Sequence, residues 1–431
     1  MQSTTRWRWF VYSLMALALA LVPTYFLLPV WIASNAQSAI LAGDAKNQIQ
    51  RLNTWESILG KNARFEFARA EAYRKLADPL RLEKHVNRAI ELGMSADQAK
   101  QPLWLWLAQT GFTDEPYKHL GPMLQSYAGR EYEVYESFLK GYSKTWHLGD
   151  GRRLIELWRE QNPDNPRINY WDGVYRAVDY QIAPATQLLQ KAVDQDPEYW
   201  EARLRLAELL VEQSKLPEAE EHFEILVQLR PDDKAIKVGY AQCLLNQGRA
   251  EEAWTIFKQV VSDGPEDSAF LHSKAQSALD AGHAADAQEI LTELVDRWPE
   301  VAPFRELQAR TEQALGNAQK AEEYFAIARA SQARQPEIDK LIALLDANPS
   351  DLEIRRQLGH LMMYYLSPEA GSGQILSVLA METRDAVSHQ LMADFYRRER
   401  LTTQSLRHQQ MAEQLMPEIP APEVGVISSG N

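Results

Sequence analysis

Five prolines, Pro163, Pro197, Pro231, Pro265 and Pro299, stand 34 residues apart. A fixed period of that length marks a stacked array of one supersecondary unit, and it constrains the fold more than any single segment does. Other columns keep the same register. A small residue recurs as Ala185, Ala219, Ala253, Ala287 and Ala321, and a bulky one four positions on as Leu189, Phe223, Phe257, Leu291 and Phe325. A third column holds Ala192, Leu226, Val260, Leu294 and Ala328, and a fourth, near the start of each unit, Gly173, Ala207, Ala241, Ala275 and Ala309. Small side chains at a helix crossing let two axes approach, a bulky neighbour fills the remaining gap, and proline ends the helix by withholding a donor.

The pattern resembles the tetratricopeptide repeat, a pair of antiparallel helices per 34 residues. The resemblance implies an all-α chain, an α-solenoid in which five clear units span 166–335. Degenerate helical repeats are expected over 45–165, a single helix or hinge over 336–349, and further helical repeats over 350–416, with Ala393 at a small position. A flexible tail is expected over 417–431, where Pro417, Pro420 and Pro422 interrupt any periodicity. The family's aromatic near the start of the first helix is missing, since that column reads Asn169, Arg203, Lys237, Leu271 and Arg305.

Ahead of the repeats, residues 9–32 run without a charge. A helix of 24 residues reaches about 36 Å, against about 30 Å for a hydrocarbon core. Trp7, Trp9 and Trp31 mark aromatic belts, and Arg6 and Arg8 favour a cytoplasmic N-terminus over 1–8. The sequence therefore predicts a single transmembrane anchor over 9–32, followed by a linker over 33–44. It places the protein in a membrane once, as in a bacterial inner membrane with the repeats in the periplasm; cleavage after Ala36 is the rival reading.

The body is acidic, with 59 Asp and Glu against 46 Lys and Arg and a net charge of −13, which disfavours a nucleic-acid partner. The lone Cys243 excludes an internal disulfide and multi-cysteine metal or haem sites. No HExxH, GxGxxG, P-loop, GxSxG or EF-hand pattern occurs, and Ser137-Phe-Leu-Lys140 matches SxxK without its usual companions. The nine histidines show no metal-binding spacing along a helix. No catalytic residue, metal ligand or cofactor is assigned, and the chain reads as a non-enzyme.

In proteins of this resemblance the first helices line a concave groove. The inward columns here read Tyr170, Leu204, Val238, His272 and Glu306, then Val174, Glu208, Gln242, Gln276 and Arg310, with Asn246 one turn further, and all of these but Glu306 are the candidate groove residues. Amides that bond a peptide backbone beside apolar positions that take its side chains suit an extended protein or peptide partner. The family's carboxylate clamp, a Lys and Asn pair, is absent, because the first columns read Phe67 and Glu71, then Tyr170 and Val174. Aromatic residues crowd the stretch 104–200, among them Trp104, Trp106, Tyr132, Tyr135, Trp146, Trp158, Tyr170, Trp171, Tyr175 and Tyr180, as inter-repeat core or as stacking platforms. The expected function is a membrane-anchored scaffold that organises a cell-envelope complex through protein–protein interaction. The alternatives are a glycan- or peptide-binding module, as in polysaccharide export, and an enzyme with a site assembled across repeats. The sequence leaves the oligomeric state open.

Overall fold

The computed structural model describes residues 27–144, 147–179, 181–260 and 265–415, apart from the Ala380 side chain. The described residues contain helices and turns and no strand. The chain divides into two compact units, 1–142 and 143–431.

In the first unit a helix over residues 27–41 (α1) precedes α2 (Ala45–Leu59), α3 (Ala63–Lys75), α4 (Pro79–Glu91), α5 (Ala96–Ala99), α6 (Gln101–Thr110), α7 (Asp114–Tyr117), α8 (Leu120–Ser126) and α9 (Glu131–Lys144). Ile32, Ala33 and Ala36 pack with Leu52, Phe65 and Ala68 in one core. Glu71, Arg74 and Glu133 form a buried ion network, with Arg74 2.8 Å from Glu71 and 2.6 Å from Glu133. Glu71 also accepts the hydroxyl of buried Tyr127.

These contacts correct the membrane placement. The end of the expected span, 27–32, belongs to α1, and the expected linker continues that helix to residue 41. Ile32, Ala33, Ala36 and Ile40 recur at helical spacing and are buried against protein, so this end of the apolar stretch is an amphipathic core helix. Among the described residues no helix is long and apolar enough to cross a membrane, which overturns the single-pass inner-membrane assignment. Residues 1–26, with Arg6, Arg8 and most of the apolar stretch, lie outside the described residues, as does the expected tail 417–431.

In the second unit α10 (Leu148–Gln161) leads into five helix pairs: α11 (Pro166–Val178) with α12 (Ile182–Gln195), α13 (Trp200–Glu212) with α14 (Leu216–Leu229), α15 (Lys234–Asn246) with α16 (Ala250–Gln259), α17 (Ser268–Asp280) with α18 (Ala284–Arg297), and α19 (Ala302–Ala314) with α20 (Ala318–Gln332). Pro197, Pro231 and Pro299 fall two residues past the ends of α12, α14 and α18, where a missing donor costs nothing. Side chains of Asn165, Asp233 and Asp267 cap the first helices that follow. Ala207, Ala241, Ala275 and Ala309 are fully buried, as are Ala185, Ala219, Ala253 and Ala287 with Leu189, Phe223, Phe257 and Leu291. Phe325 leaves the pattern and is half-exposed, because the element after α20 is not a regular first helix.

The C-terminal helices α21 (Gln335–Ala347), α22 (Leu352–Leu361), α23 (Pro368–Met381), α24 (Ala386–Arg398) and α25 (Thr402–Leu415) follow, with a π turn at Met362–Leu366 after α22. They double back. Met363, Ile375, Leu379 and Met392 share one core with Phe270, Leu271, Trp298, Val301 and Phe304 from α17 to α19.

Candidate docking groove

The inward columns lie on successive first helices: Tyr170 and Val174 on α11, Leu204 and Glu208 on α13, Val238, Gln242 and Asn246 on α15, His272 and Gln276 on α17, and Arg310 on α19. None is buried. Asn246 and Arg310 are exposed and the other eight are half-buried. The fully buried alanine column on the same helices turns toward the core, so a helical period of 3.6 leaves these positions facing outward in part.

The apolar members lean on the repeats beneath them. Tyr170 meets Tyr199 at 5.2 Å between ring centroids, and with Leu204 it packs on the core of the first two pairs, while Val238 packs on the next core. The His272 ring sits 5.1 Å from that of Phe304, and burial pulls its imidazole down to about 4, so it is neutral at physiological pH. The polar members are held in place from within. Gln242 donates to Asn246 at 3.0 Å, Arg205 pairs with Glu208 at 2.9 Å, and Arg310 pairs with Asp280 on the preceding first helix at 2.9 Å. The surface offers amide, carboxylate, guanidinium and apolar groups on successive first helices.

Other sequence candidates resolve individually. Ser137 donates to the carbonyl of Glu133 at 2.7 Å and Lys140 is exposed, so the SxxK pair is not assembled. Cys243 is buried, with its thiol 3.5 Å from the Leu216 carbonyl and pushed up by burial. Among the described residues no group of three or more His, Cys, Asp or Glu is placed to hold a metal ion. Of the aromatic crowd, Trp104, Tyr135, Trp158, Trp171 and Tyr175 are buried core, whereas Trp146 and Tyr180 lie outside the described residues.

Two arrangements escaped the sequence. His389 and His408, 19 residues apart on α24 and α25, bring their Nδ1 atoms to 3.0 Å. Glu399 reaches Ser268, Arg297 and Trp298. Neither carries a sequence signal, because each pair is joined only by the fold.

The tetratricopeptide-repeat family models match residues 180–227 and 210–276, and 272–336. Residues 180–336 are tetratricopeptide repeats. They form a scaffold fold for protein–protein interaction, and the matched segments cover α12 to α20. No curated protein matches the chain by sequence. Among solved structures, the chain is similar to PilW, a widely conserved type IV pilus biogenesis factor, at 20% identity over 47% of this chain and 93% of that one, with a TM-score of 0.40. It is similar to MamA of Desulfovibrio magneticus RS-1 at 15% identity over 40% of this chain and 97% of that one, with a TM-score of 0.37. The human IFIT1 dimer with PPP-AAAA covers more of the chain, 80%, and 89% of its own length, at 15% identity and a TM-score of 0.39.

Proposed function

We propose that the chain is a non-catalytic scaffold whose repeats take an extended segment of a protein partner along the first helices α11 to α19. The observation that carries this reading is the placement of the ten groove residues. All are partly open on successive first helices, with small residues buried behind them, so side-chain chemistry at these positions is free to vary without emptying the core. A backbone lying across α11, α13 and α15 would meet Tyr170 and Val174 first, then Leu204 and Glu208, then the Gln242 and Asn246 amides. The envelope location rested on the apolar stretch 9–32 and forms no part of this reading.

A glycan platform in the aromatic region is disfavoured by the burial of five of its rings. The test is site-specific photocrosslinking in cells from Tyr170, Gln242 and Asn246, against Glu221 and Glu251 on exposed second-helix faces. One protein species captured from the first three positions and not from the last two is the expected result. Equal capture from both sets would sink the groove.

A further inference from the structure

The first unit holds a feature that the groove does not use, an open recess of about 300 Å³. That volume is at the lower end of the range of small-ligand pockets. Two helices build it. Helical spacing sets Val30, Ala33 and Gln37 on one face of α1 and Arg64, Phe67 and Glu71 on one face of α3, and both faces line the recess. Met94, just past α4, adds a flexible apolar side chain, so Val30, Ala33, Phe67 and Met94 make an apolar wall beside the polar groups.

Of the charged lining residues, Glu71 and Arg130 are already committed. Glu71 takes the Tyr127 hydroxyl on one oxygen and the Arg74 Nε and Nη2 donors on the other, at 2.9 and 2.8 Å. Arg130 pairs with Glu133 at 2.6 Å and lies 5.1 Å over the Tyr127 ring. Arg64 is different. It is exposed, and the bond recorded for it runs from its backbone N–H to Asn62, so its guanidinium has no partner among the described residues. The network beneath adds to that charge. Arg74, Lys75 and Arg130 face Glu71 and Glu133, three cations to two carboxylates, which leaves one positive charge in excess. Glu71 therefore does not turn the recess negative.

Neutral donors complete the lining. Buried Gln101 donates to the Ser126 hydroxyl at 2.8 Å, and a hydroxyl that accepts one bond still has its own proton to give. The side-chain amides of Gln37 and Gln98 are unbonded among the described residues. An apolar ligand leaves these donors and Arg64 unused, and an inorganic anion leaves the apolar wall unused. A phosphate dianion brings more charge beside Glu71 than one free guanidinium answers. A carboxylate on an aliphatic tail uses both halves of the recess, since a guanidinium takes a carboxylate through two parallel N–H bonds.

We propose that the recess is a binding site for a small amphipathic carboxylate. Arg64 holds the head group, with Gln37, Gln98 and Ser126 as neutral donors, and the tail lies against Val30, Ala33, Phe67 and Met94. Every lining residue belongs to the first unit and none to the groove on α11 to α19, so its test stands apart from the crosslinking experiment.

The experiment titrates sodium octanoate into the full chain by isothermal calorimetry. Octanoate should bind with a single-site isotherm, while acetate, which lacks the tail, and octanol, which lacks the charge, should each bind at least about tenfold more weakly. Arg64→Gln should weaken octanoate at least about tenfold, as the loss of a charge-assisted pair implies. Arg64→Lys, which keeps the charge without the planar fork, should weaken it less. Neither variant threatens the fold, because Arg64 is exposed and its side chain is unpartnered among the described residues. Lys140→Gln, at an exposed cation of α9 outside the recess, should leave the affinity unchanged. Failure of octanoate to bind, acetate or octanol binding as tightly as octanoate, or full affinity in Arg64→Gln overturns the site. A loss in Lys140→Gln equal to that in Arg64→Gln overturns it as well, since the attraction would then be to the unit's charge and not to the recess.

Discussion

The carboxylate of Glu399 accepts the backbone N–H of Ser268 at 3.1 Å across 131 residues of sequence. It also takes the Ser268 hydroxyl at 2.7 Å, the indole N–H of Trp298 at 2.8 Å and a guanidinium N–H of Arg297. The first turn of α17 carries an orphan donor like that of any helix, and here a side chain from the other end of the unit supplies the acceptor. Repeat arrays ordinarily hold each unit through its neighbours alone. In this unit the C-terminal helices are also clasped onto the fourth pair, and Arg398 and Arg297 trade donors to each other's carbonyls at 2.8 and 2.7 Å.

Breaking that clasp from one side should be expensive. Glu399→Ala leaves the buried Arg297 charge with only the more distant, exposed-side Glu293 at 3.8 Å, which costs about 3 kcal/mol, while Glu399→Met with Arg297→Met removes both charges and should recover most of the loss. Native-state hydrogen exchange over α23–α25 reports the difference directly and does not depend on two-state unfolding of the whole chain. Protection in Glu399→Ala equal to that of the unchanged protein would show the clasp to be energetically idle.

A turn column gives the second prediction. Gly248, Gly282 and Gly316 close the first helices at φ of 79°, 87° and 82°, and the residue in the same column of the preceding unit is Ser214, held at 59°. Glycine visits that left-handed region freely and serine does not. Ser214→Gly should therefore stabilise the chain by about 0.5–1 kcal/mol, and Gly248→Ala should destabilise it by about 1–2 kcal/mol. Denaturant midpoints of the two variants, moving in opposite directions, are the check.

What the sequence made legible follows from what repeats. The alanine and Leu/Phe columns announce burial because the same crossing recurs at each interval, and the columns are buried from α12 to α18. Phe325 fails where the period ends, since its expected neighbour is replaced by α21. The glycines of the turn column repeat at the same interval, but Ser214 interrupts them and weakens the signal. Groove positions were legible as places on a helix, but not their partners, since Arg310 to Asp280 and Tyr170 to Tyr199 depend on how adjacent pairs stack. Ile32 to Ile40 misled because length and lack of charge describe a buried core helix and a membrane helix alike. Glu399 reads as one more surface acid until the chain folds back.

Acid should act on the two units in different ranges. His272, through burial, and His408, through burial with His389 and Arg407 beside it, are both lowered to about 4 from an ordinary 6.5. A lowered histidine is neutral in the fold while the unfolded chain takes up a proton, so the second unit loses stability as pH falls from about 6.5 towards 4. Glu133 in the first unit, despite a burial that pushes it up, is held at about 2 by Arg74, Lys75 and Arg130, so its contribution is lost only between about 4.5 and 2. Denaturation at pH 7.5 and pH 5 should show the unchanged chain losing more stability than a His272→Leu, His408→Leu variant. Equal losses would contradict the assignment.

Cys243 tests the core by reactivity. It is fully buried on α15 and its thiol is pushed up, so little thiolate exists and none is reachable without opening. A disulfide reagent should modify the native chain at least about a hundredfold more slowly than the chain in denaturant, at a rate set by local opening. Cys243→Ala should abolish the reaction and cost about 1–2 kcal/mol for the small cavity. Fast labelling of the native chain would mean that the α13–α15 packing opens readily.

Asn246 separates docking from folding most cleanly. It is exposed, and its recorded side-chain contact is the hydrogen bond it accepts from Gln242 at 3.0 Å, so Asn246→Arg should change stability by less than about 0.5 kcal/mol. In the proposed groove it lies at the end of the α15 column, where an arginine adds bulk and breaks the amide pair. Capture of the partner through a crosslinker at Tyr170 should then fall at least about tenfold, as expected when one position inside an interface core is lost. The alanine at the same place, Asn246→Ala, removes one amide without adding bulk and should weaken capture less. If Asn246→Arg leaves capture through Tyr170 unchanged while the fold is intact, the partner does not run along the first helices as far as α15.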